Sequence, residues 1–364
     1  MQPTMKDIAE RLGISQAIVS LVLNKKDNGR VSEARRKEIL KLAAKMNYSP
    51  NMSAVQLRGK SSKLIGIIGN FSMVPVHSAF LWQLSHLLSA EAYHDITLNI
   101  RKHGPEEERK VLSDLVARGV DAVILAETSM EESDFSKLPM PILKVLPNIK
   151  NPDITIDLHH GAYSLVSHLL KEHGHSKIGM LAMFEVCPFR NQGYLDALAD
   201  NGIEASPGWI MTIKNSGAIE ENILRMVKKE KISAFFCIND FIAANLIKFL
   251  SVNGINVPDD VAVTGFDGLT LTGLTSPTIT TAVQPMFKLA DETSRTIIRM
   301  IKNKELRYSG KTPLLLKPEI QFGESCGCKE PKHSFGFSEF YGFATIEADK
   351  EFNHIYIEEQ RNRK

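Results

Sequence analysis

The 364 residues predict a small all-α head joined to an α/β body of two parallel-sheet subdomains. Three observations carry that expectation. Short capped helices joined by a Gly turn fill the first 50 residues, and from Leu64 onward strand-length apolar runs alternate with amphipathic helical stretches. Charge divides along the same line: residues 1–63 hold 13 Lys and Arg against 5 Asp and Glu, a net +8, and the remaining 301 hold 31 against 37, a net −6. A basic head on an acidic body is the electrostatic footprint of a phosphate-backbone binder.

Thr4-Met-Lys-Asp7 has the form of a capping box, with a hydroxyl to accept an early helical N–H and a carboxylate to reach back. Ile8, Ala9 and Leu12 follow on one face, Gly13-Ile14 makes the stop, and Ser15 has the short oxygen-bearing side chain an N-cap requires. Helix, tight Gly turn, helix is the helix-turn-helix grammar. In the second helix Ile18, Val19, Val22 and Leu23 share one side, and Gln16, Ala17, Ser20, Leu21 and Asn24 the other. The first set predicts a core. The second suits a major-groove helix, because Gln can bind an adenine edge through both its polar atoms and Ala or Leu can touch a thymine methyl. Packing of Ala17 and Leu21 on neighbouring helices is the alternative. A third helix is expected from Ser32 through Ile39, Leu40 and Ala43 to about Asn47, shut off by Pro50.

In the body, strands are expected at Leu64–Ile68, Ile96–Ile100, Asp121–Ala126, Ile178–Met183, Ala234–Ile238 and Val261–Gly265. Helices are expected at Phe80–Tyr93, Pro105–Ala117, Gly161–Glu172, Gln192–Asn201, Ile219–Lys229 and Ile242–Val252. This alternation specifies βαβ units, and its length exceeds one compact core, so two subdomains with a cleft between them follow. Ligands of such sheets sit outside the carboxyl ends of the strands, which singles out Asn239-Asp240, Phe266-Asp267 and Arg190. By residue type alone these equally suit solvated loops.

The head resembles the lac repressor family of bacterial transcription regulators. The resemblance rests on Met5-Lys-Asp-Ile-Ala-Glu-Arg-Leu-Gly-Ile-Ser15, Val19-Ser20, Leu23-Asn24, Val31-Ser32, and Asn47-Tyr-Ser-Pro-Asn51 with Ala54, Leu57, Gly59 and Lys60. It implies that Gln16, Ala17 and Leu21 read bases while Ser15, Ser20, Asn24 and Ser32 hold phosphates. Leu21 stands where many members place a basic or imidazole residue. Asn51 to Arg58, including Ala54, would be a hinge helix that forms on the operator and pushes Leu57 into the minor groove; an ordinary linker is the other reading. In the body the resemblance rests on Arg190-Asn-Gln-Gly-Tyr194, Asn239-Asp240 with Ala243, Pro258 to Asp267, Gly174-His175 and Pro277 to Thr281. It implies the fold of periplasmic sugar-binding proteins and an effector, a sugar or related metabolite, held by Arg190, Asn239 and Asp267, with His160 and Phe80 at further cleft positions. The expected domains are 1–49, helix-turn-helix; 50–63, hinge helix and linker; 64–325, effector binding and dimerisation; and 326–364, a carboxyl-terminal extension.

Other features point elsewhere. Gly323-Glu-Ser-Cys-Gly327 fits a nucleophile-elbow pattern, but Cys-Lys-Glu-Pro follows where the elbow needs a helix, so no enzyme is expected. The four Cys, at 187, 237, 326 and 328, lack zinc-finger or disulfide-framework spacings. Cys326-Gly-Cys328 reads as a reduced structural pair, with metal binding or a redox response as the alternative; no metal or cofactor is expected. The extension has Phe335, Phe337, Phe340, Tyr341, Phe343, Phe352 and Tyr356 but no Leu or Val, which argues for a hairpin and against a heptad helix. With no export signal or membrane-length apolar run, the expected protein is a cytoplasmic, homodimeric, effector-controlled repressor of transcription on double-stranded operator DNA. The rival classes are a solute-binding transport protein and a serine hydrolase.

Overall fold

The computed structural model describes residues 3–24, 27–48, 61–69, 71, 75–100, 104–126, 128–147, 149–182, 188–213 and 218–328. The expected hinge helix, with Asn51, Ala54 and Leu57, and the expected hairpin of the extension lie outside these residues.

The head comprises α1 (Met5–Leu12), α2 (Gln16–Leu23) and α3 (Glu33–Lys45). The Thr4 hydroxyl accepts from Asp7 N at 3.3 Å and Asp7 Oδ2 accepts from Thr4 N at 2.7 Å, closing the capping box. Gly13 ends α1 at φ 63°, a left-handed position that favours Gly. Ser15 and Ser32 cap α2 and α3 by accepting from Ile18 N and Arg35 N. Three helices this short hold only by packing, and Ile8, Ala9, Val19, Val22, Ile39 and Ala43 form their shared core. Buried Asp27 fastens the α2–α3 turn to α3 through both Arg36 Nε and Nη2.

The body has two main sheets. The first contains β1 (Leu64–Gly69), β2 (His94–Asn99), β3 (Ala122–Leu125) and β4 (Ile142–Lys144), all parallel in the order β2-β1-β3-β4. Helices α4 (Pro75–Ala90), α5 (Pro105–Ala117) and short α6 (Glu132–Phe135) connect its strands. After β5 (Ile154–Ile156) the chain enters the second unit at α7 (Leu158–Lys171). There β6 (Ile178–Ala182), β7 (Ile210–Thr212), β8 (Ala234–Cys237), β9 (Ala262–Asp267), β10 (Thr280–Val283) and β12 (Glu319–Gln321) form a sheet in the order β12-β10-β9-β8-β6-β7. Only β12 runs antiparallel to its neighbour. Helices α8 (Pro188–Asp200), α9 (Ile219–Lys228) and α10 (Asp240–Val252) accompany it.

The units are interleaved rather than consecutive. After β10 the chain returns to the first unit as α11 (Met286–Asn303), which packs along α4 and reaches β3 and β4. It then crosses back through β11 (Leu314–Leu316), which pairs in parallel with β5. Three strand-to-helix or strand-to-strand passages thus join the units.

Several expected bounds move. Helix α4 begins at Pro75 instead of Phe80, and α8 at Pro188 instead of Gln192, which puts Arg190 in the first turn of a helix instead of in a loop. Strand β9 runs on to Asp267. The body also continues past residue 325: Cys326 is buried and belongs to the core, so it does not open a separate segment.

Candidate functional site

On α2 the predicted division of faces is present. Val19 and Val22 are buried, Ile18 and Leu23 pack at the edge of the core, and Ser15, Gln16, Ala17 and Asn24 are exposed. Leu21 and Ser20 are half-buried, and Leu21 is not among the side chains packed into the head core. Asn24 Nδ2 donates to the Ser20 carbonyl at 2.7 Å and to its hydroxyl at 3.2 Å, joining those two positions across one helical turn. Ser15 and Ser32 spend an oxygen lone pair on their caps and keep an O–H to donate. Gln16 and Ala17 therefore form an outward tip just past the Ser15 cap at the amino end of α2, the end that enters a groove in helix-turn-helix docking.

The second constellation lies at the carboxyl ends of the second sheet. Strand β9 delivers Asp267, β8 leads into Ile238-Asn239, β10 into Gln284, and the first turn of α8 supplies Arg190. Arg190 Nη2 donates to Asp267 Oδ1 at 3.0 Å, Nη1 donates to the Ile238 carbonyl, and the guanidinium sits 4.0 Å over the Phe266 ring. Gln284 Nε2 donates to the same Asp267 Oδ1 at 2.7 Å. Burial pushes the Asp267 carboxyl up, and the Arg190 charge pulls it back down. Arg190 Nε and Asn191 Oδ1 are buried without a hydrogen-bond partner among the described residues. A buried donor and acceptor left in this state are costly.

The remaining expected residues divide. Asn239 caps α10, its Oδ1 accepting from Ile242 N at 2.9 Å, which leaves both amide N–H groups to donate to a ligand. His160 sits half-buried in the first turn of α7, its backbone N–H capped by Asp157 at 2.9 Å. Among the described residues no hydrogen bond joins it to Arg190 or Asp267. Phe80 is corrected: it has no exposed surface and fills the main core, because α4 turns that side toward the sheet, so it does not line the cleft.

One participant escaped the sequence reading and another was noticed without its role. Gln284 follows an edge of β10 that has no local motif, and its part emerges only once β9 and β10 lie side by side. Asp240, singled out only as a strand-end residue, carries the site from behind: it is fully buried and accepts from the Thr281 hydroxyl at 2.6 Å and Leu269 N at 2.8 Å. Burial and the Asp267 charge push its carboxyl up to about 7.

Ser325 is no nucleophile. It has no exposed surface, its Oγ donates to the Val263 carbonyl at 2.6 Å and accepts from Thr280 N at 3.0 Å, and it lies in a single 3-10 turn. Grooves of about 430 Å³ between α4 and α11 and about 400 Å³ between α9 and α10 are lined by neither Arg190 nor Asp267. Among the described residues no helix is long and apolar enough to cross a membrane. His168, His173, Cys326 and Cys328 form a compact set of metal-capable side chains. It lies at the opposite end of the strands from Arg190, beside Val263 and Thr280.

Comparison with known proteins assigns both parts. Residues 4–51 match the family model for bacterial regulatory proteins of the lacI family, and residues 166–326 match a periplasmic binding protein-like domain. The chain is 27% identical over 317 residues to the HTH-type transcriptional regulator GalR of Escherichia coli, covering 83% of this chain and 90% of that one. It is 28% identical over 313 residues to the HTH-type transcriptional repressor PurR of Photobacterium profundum, covering 83% and 92%. In fold it resembles the lac repressor dimer bound to operator and the anti-inducer ONPF, with a TM-score of 0.76 at 22% identity over 90% of this chain and 99% of that one. A CelR–cellobiose complex matches with a TM-score of 0.61 at 21% identity, over 89% and 99%.

Proposed function

The chain belongs to the lacI family of bacterial regulatory proteins, and from that premise we propose that it is a repressor whose grip on operator DNA is set by a sugar or related metabolite. The observation that carries this reading is the exposure of Gln16 and Ala17 at the amino end of α2 while Val19 and Val22 fill the head core. That helix enters the major groove, Gln16 pairs with an adenine edge, and the basic head neutralises phosphates. Two chains read two half-sites as a homodimer, and Leu57 of each opens the minor groove between them. The protein acts in the cytoplasm and makes no bonds.

The effector hydroxyls are held by the free edge of the Arg190–Asp267–Gln284 cluster and by the Asn239 amide. Binding there favours one angle between the two units, and DNA affinity changes only by the difference in effector affinity between the two angles. The basic head stands against a solute-binding transport protein, and the burial of Ser325 stands against a serine hydrolase.

The test is a gel shift with the DNA upstream of the chain's own coding sequence. Binding should fall steeply as salt rises, and fall again with Leu57→Gly. Binding indifferent to both would overturn the proposal. Thermal-shift screening of sugars, nucleosides and sugar acids, with Asp267→Ala as the control, identifies the effector.

A further inference from the structure

We infer that His168, His173, Cys326 and Cys328 form a structural zinc site that staples the end of the described chain to α7. His168 lies in the last turn of α7 and His173 just beyond it, while Cys326 ends the final 3-10 turn (Glu324–Cys326) and Cys328 follows Gly327. The four ligand atoms all lie within 4.8 Å of one another. Individual separations are 3.0 Å between the two Nε2 atoms and 3.3 Å between the two Sγ atoms. Cys326 Sγ is 3.7 Å from His168 Nε2, and Cys328 Sγ is 3.5 Å from each Nε2.

Those spacings lie close to what a tetrahedral ion needs: the three N···S contacts at 3.5–3.7 Å fit as they stand, and the nearer N···N and S···S pairs have only to open slightly to admit it. With Zn–S of about 2.3 Å and Zn–N of about 2.0–2.1 Å, neighbouring ligands stand roughly 3.3–3.8 Å apart. Hydrogen bonding alone does not explain four soft donors converging on one point, because two imidazoles and two thiols need only pairwise contacts. Two sulfurs and two nitrogens as ligands select Zn²⁺ over the hard cations that prefer oxygen. On binding, both thiols release their protons to solvent, and two thiolates with one Zn²⁺ leave a neutral centre that tolerates burial.

The surroundings fit a ligand set. Gly327 adopts φ 95°, a conformation open to Gly, which lets a Cys-x-Cys pair turn both sulfurs to one side. The Thr280 hydroxyl donates to Cys326 Sγ at 2.9 Å, an outer contact of the kind that orients a ligating thiolate. The Phe322 ring lies 4.8 Å from His168, shielding one side. Four protein ligands fill the tetrahedron, so no position is left for a reactive water and the role is structural. Clips that close long loops restrict the unfolded chain most, and this one ties residue 173 to residue 326.

The experiment is elemental analysis of the full-length chain, purified without an affinity His tag and under reducing conditions. About one zinc per chain is expected, lost in Cys328→Ser and in His173→Ala. The second variant lies in a half-buried turn and guards against misfolding of the first; circular dichroism establishes that each is folded. Replacing the zinc with Co²⁺ should give the visible bands of a tetrahedral ion and a thiolate charge-transfer band, both absent in the variants. A wild-type chain that holds only trace zinc and gives no Co²⁺ spectrum overturns the proposal. So does a Cys326–Cys328 disulfide found by mass spectrometry as the main form in reduced, anaerobically handled protein.

Discussion

Asp267 Oδ1 accepts from both Arg190 Nη2, at 3.0 Å, and Gln284 Nε2, at 2.7 Å, so a single carboxylate atom ties β9 to α8 and to the end of β10. Both side chains of the ion pair are about one-tenth exposed, at 10% and 11%. Removing one partner of a buried pair strands the other charge at a cost of about 3–5 kcal/mol. Asp267→Ala should lower stability in urea by that order and abolish the thermal-shift response to effector. A variant of unchanged stability would show that the pair is not a strut of the cleft.

Gln16→Ala removes an exposed amide without touching the core. It should weaken operator binding by about 1–3 kcal/mol and relax preference at a single base pair, with unchanged thermal stability. A uniform loss across all sequences would reassign Gln16 to phosphate.

Gly193 lets α7 and α8 approach closely. A Cβ there would lie 3.0 Å from Ala162 Cβ and from Tyr163 N, and closer still to the His159 carbonyl. Gly193→Ala should force the helices apart and cost about 1–3 kcal/mol, read as a shift in the urea midpoint.

Ser325→Ala tests burial against chemistry. It leaves Thr280 N and the Val263 carbonyl without their partner, which costs about 1–3 kcal/mol. An organophosphonate that labels serine hydrolases should react with neither wild type nor variant.

The folded Asp240 carboxyl titrates near 7, and an unfolded Asp near about 3.9. Between these values the folded chain holds a proton that the unfolded chain has released, so stability falls as pH rises through this window and levels off above it. Asp240→Asn should flatten the decline: its Oδ1 can accept from Leu269 N while Thr281 rotates its hydroxyl to accept from Nδ2. Equal slopes for both chains between pH 4 and 8 would contradict this origin.

Much of this was legible in local sequence. Capping residues, helical periodicity and the charge division gave the head nearly to the residue, and strand-end polar residues led to Arg190 and Asp267. What was not legible depends on long-range pairing. Helix α11 went unread because Thr293, Ser294 and Thr296 are buried within its stripe and blur the apolar period. Short β4, β5, β7 and β11 have only three residues each, too few for a pattern. Phe80 looked like a cleft residue because a sequence does not say which side of a helix faces the sheet. The two His and two Cys stand about 150 positions apart, so no motif scan joins them.

The late return of α11 has a consequence for synthesis. The flank of α4 that α11 covers is made about 200 residues before its cover, since α4 ends at Ala90 and α11 begins at Met286. On the ribosome the amino-terminal lobe must therefore wait, unfinished and sticky, until translation has passed Asn303. Messages broken upstream of that point should yield products that aggregate or are degraded, leaving no half-size fragment able to compete for the operator as a folded body.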